Sequence, residues 1–169
     1  AMTSLCLSAP ATAFGGMVHR VQAGVKTIQS AIEQSDDGDE IIVGPGIYRE
    51  QIDLLGKSIL IRSETGPEYT LIDASCSAQS QSCGSVVTMR MQEGPDTQLI
   101  GFSIAGGRGT DLLRRGVQRT YGGGLLLIGS SPTIRNCLIL NNRAEEGGAC
   151  FSEEGTPVFE DCWFYLNES

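Results

Sequence analysis

The sequence predicts an all-β chain, built as a single-stranded parallel β-helix with one short capping helix. Two segments, Gly122–Asn142 and Gly147–Asn167, align with a shift of 25 residues, and a fixed period of this size is typical of solenoids. Short apolar runs separated by Gly, Pro, Asn and Asp predict strands, with no helical period between them. The 22 glycines and the low charged fraction of 19% favour a turn-rich β protein.

The one predicted helix covers about residues 25–35. Val25, Ile28, Ala31 and Ile32 recur at helical spacing, and Thr27 is a candidate N-cap. Because so short a helix is unstable alone, its apolar stripe must pack on the strands and cover one end of the coil. Strands are predicted over residues 40–43, 51–54, 58–62, 70–72, 85–91, 97–104, 125–128, 133–140 and 158–165.

The repeat fits two kinds of solenoid. Ile134, Cys137, Ile139 and Asn142 match the core spacing of a leucine-rich repeat, and so do the residues 25 positions later. A leucine-rich repeat also needs a helix-like convex segment, whereas residues 143–157 are Gly-rich and contain another strand candidate. A parallel β-helix therefore fits better, with the three apolar side chains inward and Asn142 at a turn, bonding along the stack.

A family resemblance supports this interpretation. Residues 27–64 resemble the opening of pectinesterase-like and other pectin-lyase-like proteins, where a helix precedes a G-D-x-I-x-V-x-P-G-x-Y segment. Residues 71–74 and 95–107 resemble further rungs, so the resemblance covers residues 18–169. It implies a right-handed parallel β-helix of about five or six rungs. It does not specify an activity, because this scaffold hosts lyases, hydrolases, esterases, epimerases and binding proteins.

Composition limits the function classes. The net charge is -8, which argues against a nucleic-acid partner, and no apolar run is long enough to span a membrane. Cys76 and Cys83 flank a polar loop, which predicts a disulfide and an extracellular or periplasmic protein. Cys137 and Cys162 are expected as small buried side chains, and the pairing of the other cysteines, Cys6 and Cys150 included, stays open.

The chain divides into an N-terminal arm and one domain. Residues 1–17 are expected to be an arm that carries a cloning remnant or the tail of a signal peptide. Residues 18–169 form the β-helix domain, which is long enough for a sizeable core.

No catalytic residue, metal site or cofactor is predicted. Gly46, Tyr48 and Glu50 match a segment of pectin methylesterases, but the aspartate motifs of that family are missing, so these residues predict a structural turn. The acidic run at residues 36–40 lacks calcium-loop spacing and is expected to be a solvated turn. His19 is the only histidine, so a histidine-based site has little support.

One insertion breaks the repeat. Leu99 and Ile134 are 35 residues apart instead of 25, and about ten extra residues rich in arginine lie between them. The repeat shift also places carboxylates beside this insertion, so the sequence predicts a sugar- or anion-binding face. Two alternatives stay open, a network of ion pairs and a contact with another chain. The candidate ligand-binding residues are Arg108, Arg114, Arg115, Arg119, Tyr121, Glu145 and Glu146.

The last repeat predicts an interface. The short helix covers one end of the coil, but the sequence after Asn167 supplies no cap for the strand edges at the other end. We therefore expect either a fragment of a longer β-helix or a homo-oligomer. The candidate interface residues are Phe159, Trp163, Phe164 and Tyr165, with Leu112 and Leu113 in the insertion.

Three hypotheses about function follow. The first is an exported β-helix protein that binds a polysaccharide, such as a uronate-type glycan, without strong catalysis. The second is a polysaccharide-active enzyme, a lyase, hydrolase or esterase, with a noncanonical site near the arginines. The third is a self-assembling structural module.

Overall fold

The computed structural model describes residues 15–76, 83–114 and 116–169. The expectations for residues 1–14, for Cys6 and for Arg115 lie outside these ranges. The elements are β1 (Val18–Val21), α1 (Ile28–Gln34), β2 (Glu40–Val43), β3 (Gly46–Tyr48), β4 (Ile52–Asp53), β5 (Leu60–Ser63), β6 (Thr70–Asp73), β7 (Val87–Met89), β8 (Gln98–Ile100), β9 (Ser103–Ala105), β10 (Thr110–Arg114), β11 (Val117–Tyr121), β12 (Leu125–Ile128), β13 (Thr133–Arg135), β14 (Leu138–Leu140), β15 (Cys150–Glu153), β16 (Val158–Glu160) and β17 (Trp163–Tyr165).

Three parallel sheets make up most of the fold, which confirms a mainly β chain with a short helix. The first sheet has the order β1-β2-β5-β8-β13-β16, the second β3-β6-β9-β14-β17 and the third β4-β7-β12-β15. From β2 onward the chain visits the first, second and third sheets in turn and then returns to the first. The antiparallel pair β10–β11 is inserted between a strand of the second sheet and one of the third.

Columns of apolar side chains in register build the core. In the first sheet, Ile41, Ile61, Leu99, Ile134 and Phe159 are paired from strand to strand, and the first four are fully buried. Burial of each such side chain contributes roughly 1.5–3 kcal/mol, so the columns dominate the stability. The predicted inward positions of the repeat, Ile134 among them, are therefore confirmed.

Three predicted strands are each two strands in the structure. The predictions over residues 97–104, 133–140 and 158–165 were too long, because a residue with left-handed backbone divides each segment. These residues are Gly101 (φ 80), Asn136 (φ 49) and Asp161 (φ 52). Gly and Asn adopt this conformation at low cost, and Asp does so more easily than most residues. Each turn carries the chain from the first sheet to the second.

Helix α1 is shorter than predicted at both ends. Thr27 is the N-cap, as expected, and its hydroxyl accepts a hydrogen bond from the Ser30 N–H at 3.1 Å. Three residues of the predicted stripe, Ile28, Ala31 and Ile32, are fully buried. The prediction was wrong for Val25, which is exposed because it precedes the N-cap and is not in the helix. The helix therefore covers the core with only one apolar face.

Side chains from the turns around β4 hold the helix at both ends. The Glu50 carboxylate accepts hydrogen bonds from the N–H groups of Ile28 and Gln29, each at 2.9 Å. Lys57 donates to three carbonyls around the C-terminal end, two of them at 2.6 Å. A carboxylate at the N-terminus and an ammonium at the C-terminus both complement the helix dipole. Glu50 therefore has the structural role that the sequence indicated.

The acidic run at residues 36–40 is only in part the solvated turn that we expected, since Asp36 and Asp37 are exposed and residues 37 and 38 form a turn, whereas Asp39 is buried. Asp39 is only 3% exposed, and its carboxylate accepts hydrogen bonds from the Met17 N–H at 2.7 Å and the Asp36 N–H at 2.9 Å. The same carboxylate lies 2.8 Å from Nε2 of His19. These hydrogen bonds, first that of Asp36 and then that of His19, lower the pKa of Asp39. For Asp39 the prediction failed because a buried carboxylate with local donors has the same sequence signature as a turn.

Asparagine side chains bond along the stack, as predicted. Asn142 is buried, and its amide group donates to the Asn167 side chain at 3.1 Å and to the Ile104 carbonyl at 2.9 Å. Its side-chain oxygen accepts from the Gly107 N–H at 3.0 Å. The left-handed residue at this turn is the neighbouring Asn141 (φ 53). With the bond from the Asn167 side chain to the Ile139 carbonyl, the ladder satisfies backbone groups of two successive strands, β9 and β14, and of the turns that follow them.

The cysteines occupy three environments. Cys76 and Cys83 form a disulfide, with their Cα atoms 5.8 Å apart. Cys137 is buried, as expected, but Cys162, in the turn between β16 and β17, is only half-buried. A thiol–thiol hydrogen bond raises the pKa of Cys137 and lowers that of Cys162 to about 7. Burial raises the pKa of Cys150 to about 12.

Within residues 15–76, 83–114 and 116–169, no helix has the length and apolar character needed to cross a bilayer.

Replacing Glu50 should weaken the attachment of helix α1 to the core. We expect Glu50→Gln to lower the free energy of unfolding by about 1 kcal/mol, because it removes a charged acceptor from two helix N–H groups. Urea denaturation followed by circular dichroism measures this change. Glu68→Gln, at an exposed position, is the control, and an equal effect of both substitutions would refute the capping role.

Asp39 should make stability depend on acidity. Its lowered pKa means that the carboxylate stabilises the fold above the ordinary value of 3.8, and that this contribution is lost as the pH falls through the folded-state pKa. Asp39→Asn should therefore be destabilised at pH 7 relative to the parent, and the difference should shrink at about pH 3. Denaturant midpoints at the two pH values test this, with Asp96→Asn as control. A pH-independent difference would contradict it.

Candidate functional site

The arginine-rich insertion folds into a hairpin that separates two surface depressions. Strands β10 and β11 pair from Thr110 with Tyr121 to Arg114 with Val117. Asp111 and Thr120, which pair across the hairpin, line one depression, whereas Leu112, Leu113 and Arg119 line the other. We call the depression toward the third sheet the hairpin cleft and the one on the opposite face the polar groove.

The hairpin cleft is partly aromatic. It has a volume of about 840 Å³. The rings of Tyr121 and Phe151 meet edge to face, with centroids 4.8 Å apart. The Arg114 guanidinium lies 5.9 Å from the Tyr121 ring and 5.8 Å from the Phe151 ring, and it forms an ion pair with Glu153. Arg114 thus anchors the hairpin to the third sheet.

Neighbouring carboxylates neutralise the remaining charge of the hairpin cleft. Arg119 forms an ion pair with Glu146, which lies beside Tyr121 on the next strand. Glu145 instead bonds Thr120, since its carboxylate accepts from the Thr120 N–H and its own N–H donates to the Thr120 hydroxyl, each at 2.9 Å. The charges of Arg114 and Arg119 are therefore neutralised by cross-strand ion pairs. A network of ion pairs was one of the alternatives that the sequence left open.

The polar groove runs along the turns that follow the strands of the second sheet. Three contiguous depressions of about 530, 250 and 240 Å³ form it. Arg108 and Arg143 line both of the first two, and Ser75 and Cys76 line both of the last two. Arg49 lies at the far end, 3.9 Å from a carboxylate oxygen of Asp73.

Two unpaired arginines stand side by side in the polar groove. Leu140 pairs with Ala105, and the Arg143 N–H donates to the Gly107 carbonyl at 2.9 Å, so the register continues to Arg108 and Arg143. Both side chains are exposed, and neither has a carboxylate within ion-pair distance in the part of the chain that the structure describes. Like charges at opposed positions repel each other, so this pair of arginines does not stabilise the fold unless an anion is bound between them.

The structure does not gather the sequence-predicted ligand residues into one face. Arg108 and Glu145 line the polar groove, whereas Arg114, Arg119, Tyr121 and Glu146 line the hairpin cleft. The reason is that the insertion pairs with itself and stands between them as a two-stranded wall.

Sequence reasoning missed Arg143. Leu99 and Ile134 are related by a shift of 35 residues. The same shift from Arg108 leads to Arg143, so this signal was present in the sequence. Glu168, in register with Arg143, lines the groove as well. No group of three His, Cys, Asp or Glu side chains among the described residues is arranged to hold a metal ion.

Comparisons with protein-family models, with curated proteins and with solved structures find no significant match to this chain.

The anchoring role of Arg114 can be measured directly. Arg114→Met should speed amide hydrogen exchange in β10 and β11 by about tenfold, because the ring contacts and the ion pair that hold the hairpin are lost. Exchange in the first sheet should stay unchanged. Arg90→Met, at an exposed arginine elsewhere, is the control. Unchanged protection of the hairpin in Arg114→Met would refute the anchor.

Proposed function

We propose that the three sheets are the faces of one right-handed parallel β-helix of the pectin-lyase-like kind. The cyclic visiting order of the sheets supports this, as does the strand-to-strand register of the apolar columns. Parallel strands in one sheet are joined by right-handed crossovers in nearly all proteins, which supports the hand. On this proposal each passage through three strands is one rung.

We further propose that the protein binds an acidic glycan in the polar groove. The observation that carries this proposal is the pair of arginines, Arg108 and Arg143, which lie in register and lack carboxylate partners among the described residues. A guanidinium group binds a carboxylate through two parallel hydrogen bonds, and two such groups on neighbouring strands fit a ligand with repeated carboxylates.

The shape of the groove suits a chain rather than a compact ligand. It follows the five strands of the second sheet, and four spacings of about 4.8 Å give a length of roughly 19 Å. Hydroxyl and amide groups of Ser75 and Asn141 line the groove between the charges and can bond sugar hydroxyls. Asp111, Glu145 and Glu168 line the groove beside the two arginines, and the net charge of the chain is -8, so the anion site is restricted to the two guanidinium groups.

The groove supports binding more than cleavage. The sequence lacks the aspartate motifs on which pectin methylesterases depend, and Glu145 is engaged with Thr120 through two hydrogen bonds. We therefore propose a binding protein without strong catalysis, exported through the secretory route. The disulfide at the groove is a further feature in favour of export.

Calorimetric titration with polygalacturonate oligomers tests the proposal, with neutral glucan oligomers of equal length as comparison. We expect binding of the acidic oligomer only, weakening as salt is raised. Arg143→Gln should lower the affinity by about tenfold, since a charge-assisted bond is lost. Arg90→Gln removes the same charge outside the groove and should change the affinity by less than about twofold.

Two outcomes would refute the proposal. One is equal binding of acidic and neutral oligomers, and the other is an equal effect of Arg90→Gln and Arg143→Gln. Chromatography of the polymer after long incubation separates binding from turnover. Cleavage products that disappear in Arg143→Gln would place the enzyme hypothesis first.

A further inference from the structure

Two cysteines lie beside each other in neighbouring turns of the described chain. Cys137 is in the turn between β13 and β14, and Cys162 is in the turn between β16 and β17. Because β13 pairs with β16 and β14 pairs with β17, the strands before and after the two turns are in register. The two cysteines are 25 positions apart, which is the repeat shift of the sequence. They are therefore equivalent residues of successive repeats.

Backbone hydrogen bonds on both sides fix the two turns against each other. The Asn136 N–H donates to the Glu160 carbonyl and the Trp163 N–H donates to the Cys137 carbonyl, each at 2.9 Å. The residue before each cysteine has left-handed backbone, with a φ of 49 at Asn136 and of 52 at Asp161. Since the two turns share their conformation and their register, the two cysteine side chains extend in the same direction.

The separation of the two cysteines suits a disulfide. Neighbouring strands lie about 4.8 Å apart, and a disulfide joins Cα atoms that are about 4.4–6.8 Å apart. Cys137 lies in the hydrophobic core and Cys162 packs against it. Sγ of Cys162 lies 3.4 Å from the carbonyl oxygen of Ile134, and Sγ of Cys137 lies 3.3 Å from that of Arg135, the next residue of β13. The two thiols meet in a hydrogen bond, so a covalent bond between them preserves the strand register.

Packing alone does not account for two thiols at this position. The equivalent residue one strand earlier is Phe102, whose side chain is fully buried and whose carbonyl accepts from the Leu138 N–H at 2.9 Å. The column therefore accommodates a large apolar side chain. Cys150 is also a free thiol, but it pairs with Leu125 and has no cysteine on the neighbouring strand that the structure describes.

The two stacked thiols have different reactivities. The hydrogen bond that raises the pKa of Cys137 lowers that of Cys162 to about 7, so a large share of Cys162 is thiolate at neutral pH. A thiolate is the group that an oxidant reacts with, and a second thiol in contact with it resolves the product. The inward residues on either side of Cys162 are Phe159 and Phe164, whose rings meet edge to face with centroids 5.6 Å apart. These apolar side chains favour a small uncharged oxidant, such as a hydroperoxide.

We propose that Cys137 and Cys162 form a dithiol site that a hydroperoxide oxidises to a disulfide between the two turns. With hydrogen peroxide, the Cys162 thiolate attacks one oxygen and the O–O bond breaks. Cys162 becomes a sulfenic acid, and the hydroxide that leaves takes up the proton that Cys162 had released. The sulfur of Cys137 then attacks the sulfur of Cys162, the S–O bond breaks, and the second hydroxide takes the Cys137 proton. Two thiols and one peroxide thus give one disulfide and two water molecules.

Mass spectrometry of the peroxide-treated protein locates the new bond. Digestion with trypsin and a glutamate-specific protease separates Cys137, Cys150 and Cys162 into different peptides. We expect the peptides of Cys137 and Cys162 to be joined, with a mass two hydrogens below their sum, and Cys150 to stay a free thiol. A bond from Cys162 to Cys6 or to Cys150, or the absence of any bond to Cys137, would overturn the proposal.

Variants separate the roles of the two thiols. In Cys137→Ala the sulfenic acid of Cys162 has no resolving thiol, so labelling of Cys162 by dimedone should rise about tenfold over the parent. Cys162→Ala should form no disulfide, because the remaining Cys137 is buried. Cys150→Ala is the matched control and should form the disulfide at the parental rate. Equal dimedone labelling in Cys137→Ala and the parent would contradict the assignment, as would loss of the disulfide in Cys150→Ala. The peptide mapping uses the unaltered chain, so it decides the question even where a variant is unstable.

The disulfide should also change the stability of the fold. A bond between residues 25 positions apart restricts the unfolded chain, so oxidation should raise the equilibrium constant for folding on the order of a hundredfold. Urea denaturation of the untreated and the peroxide-treated protein, with the Cys76–Cys83 disulfide intact in both, measures this change. Treated protein that carries the new bond but is no more stable than the untreated protein would overturn the proposed geometry.

Discussion

The structure depends on the register of its parallel strands. Side chains alternate along a strand, so a slip of one residue would turn an inward column such as Ile41, Ile61 and Leu99 toward solvent. At the end of the sheets near β2, the seven-residue helix α1 packs its buried face on the core. A helix of that length is unstable by itself. The hydrogen bonds from Glu50 and Lys57, both in the turns around β4, therefore hold the helix on the strands that it covers.

The inward positions of the strands are occupied by apolar side chains that pack in the core. The polar and charged side chains that could form a binding site therefore lie in the turns. The turns from the first sheet to the second are short and contain left-handed residues such as Asn136, which leaves little room for insertions. The turns from the second sheet to the third tolerate more, and there the chain carries the disulfide, the hairpin and the unpaired arginines. The asparagine ladder at Asn142 fixes the backbone just before Arg143, so the arginine stands on a rigid support. A binding site on such a support loses less conformational entropy when a ligand is bound.

The sequence predicts the parts of this fold in which the same contacts recur from strand to strand. It does not predict contacts that occur at a single place in the structure. The 25-residue shift predicted the inward columns and the pairing of Thr120 with Glu145, because the same offset recurs in the ladder. The burial of Asp39 could not be foreseen, since its donors come from the strand before the helix and from its own turn. The two-sided hairpin was also missed. Apolar and polar residues alternate in the insertion, but the pairing of β10 with β11 is what places Arg108 and Arg119 on opposite sides of the hairpin.

Cross-strand ion pairing shows why the polar groove differs from the rest of the surface. Six of the nine arginines among the described residues lie within ion-pair distance of a carboxylate. The other three are Arg90, Arg108 and Arg143, and all three are exposed. Arg90 stands alone, whereas Arg108 and Arg143 lie in register on neighbouring strands, where like charges repel each other. A bound anion would relieve that repulsion, so this position, unlike Arg90, gains from a ligand that the chain does not supply.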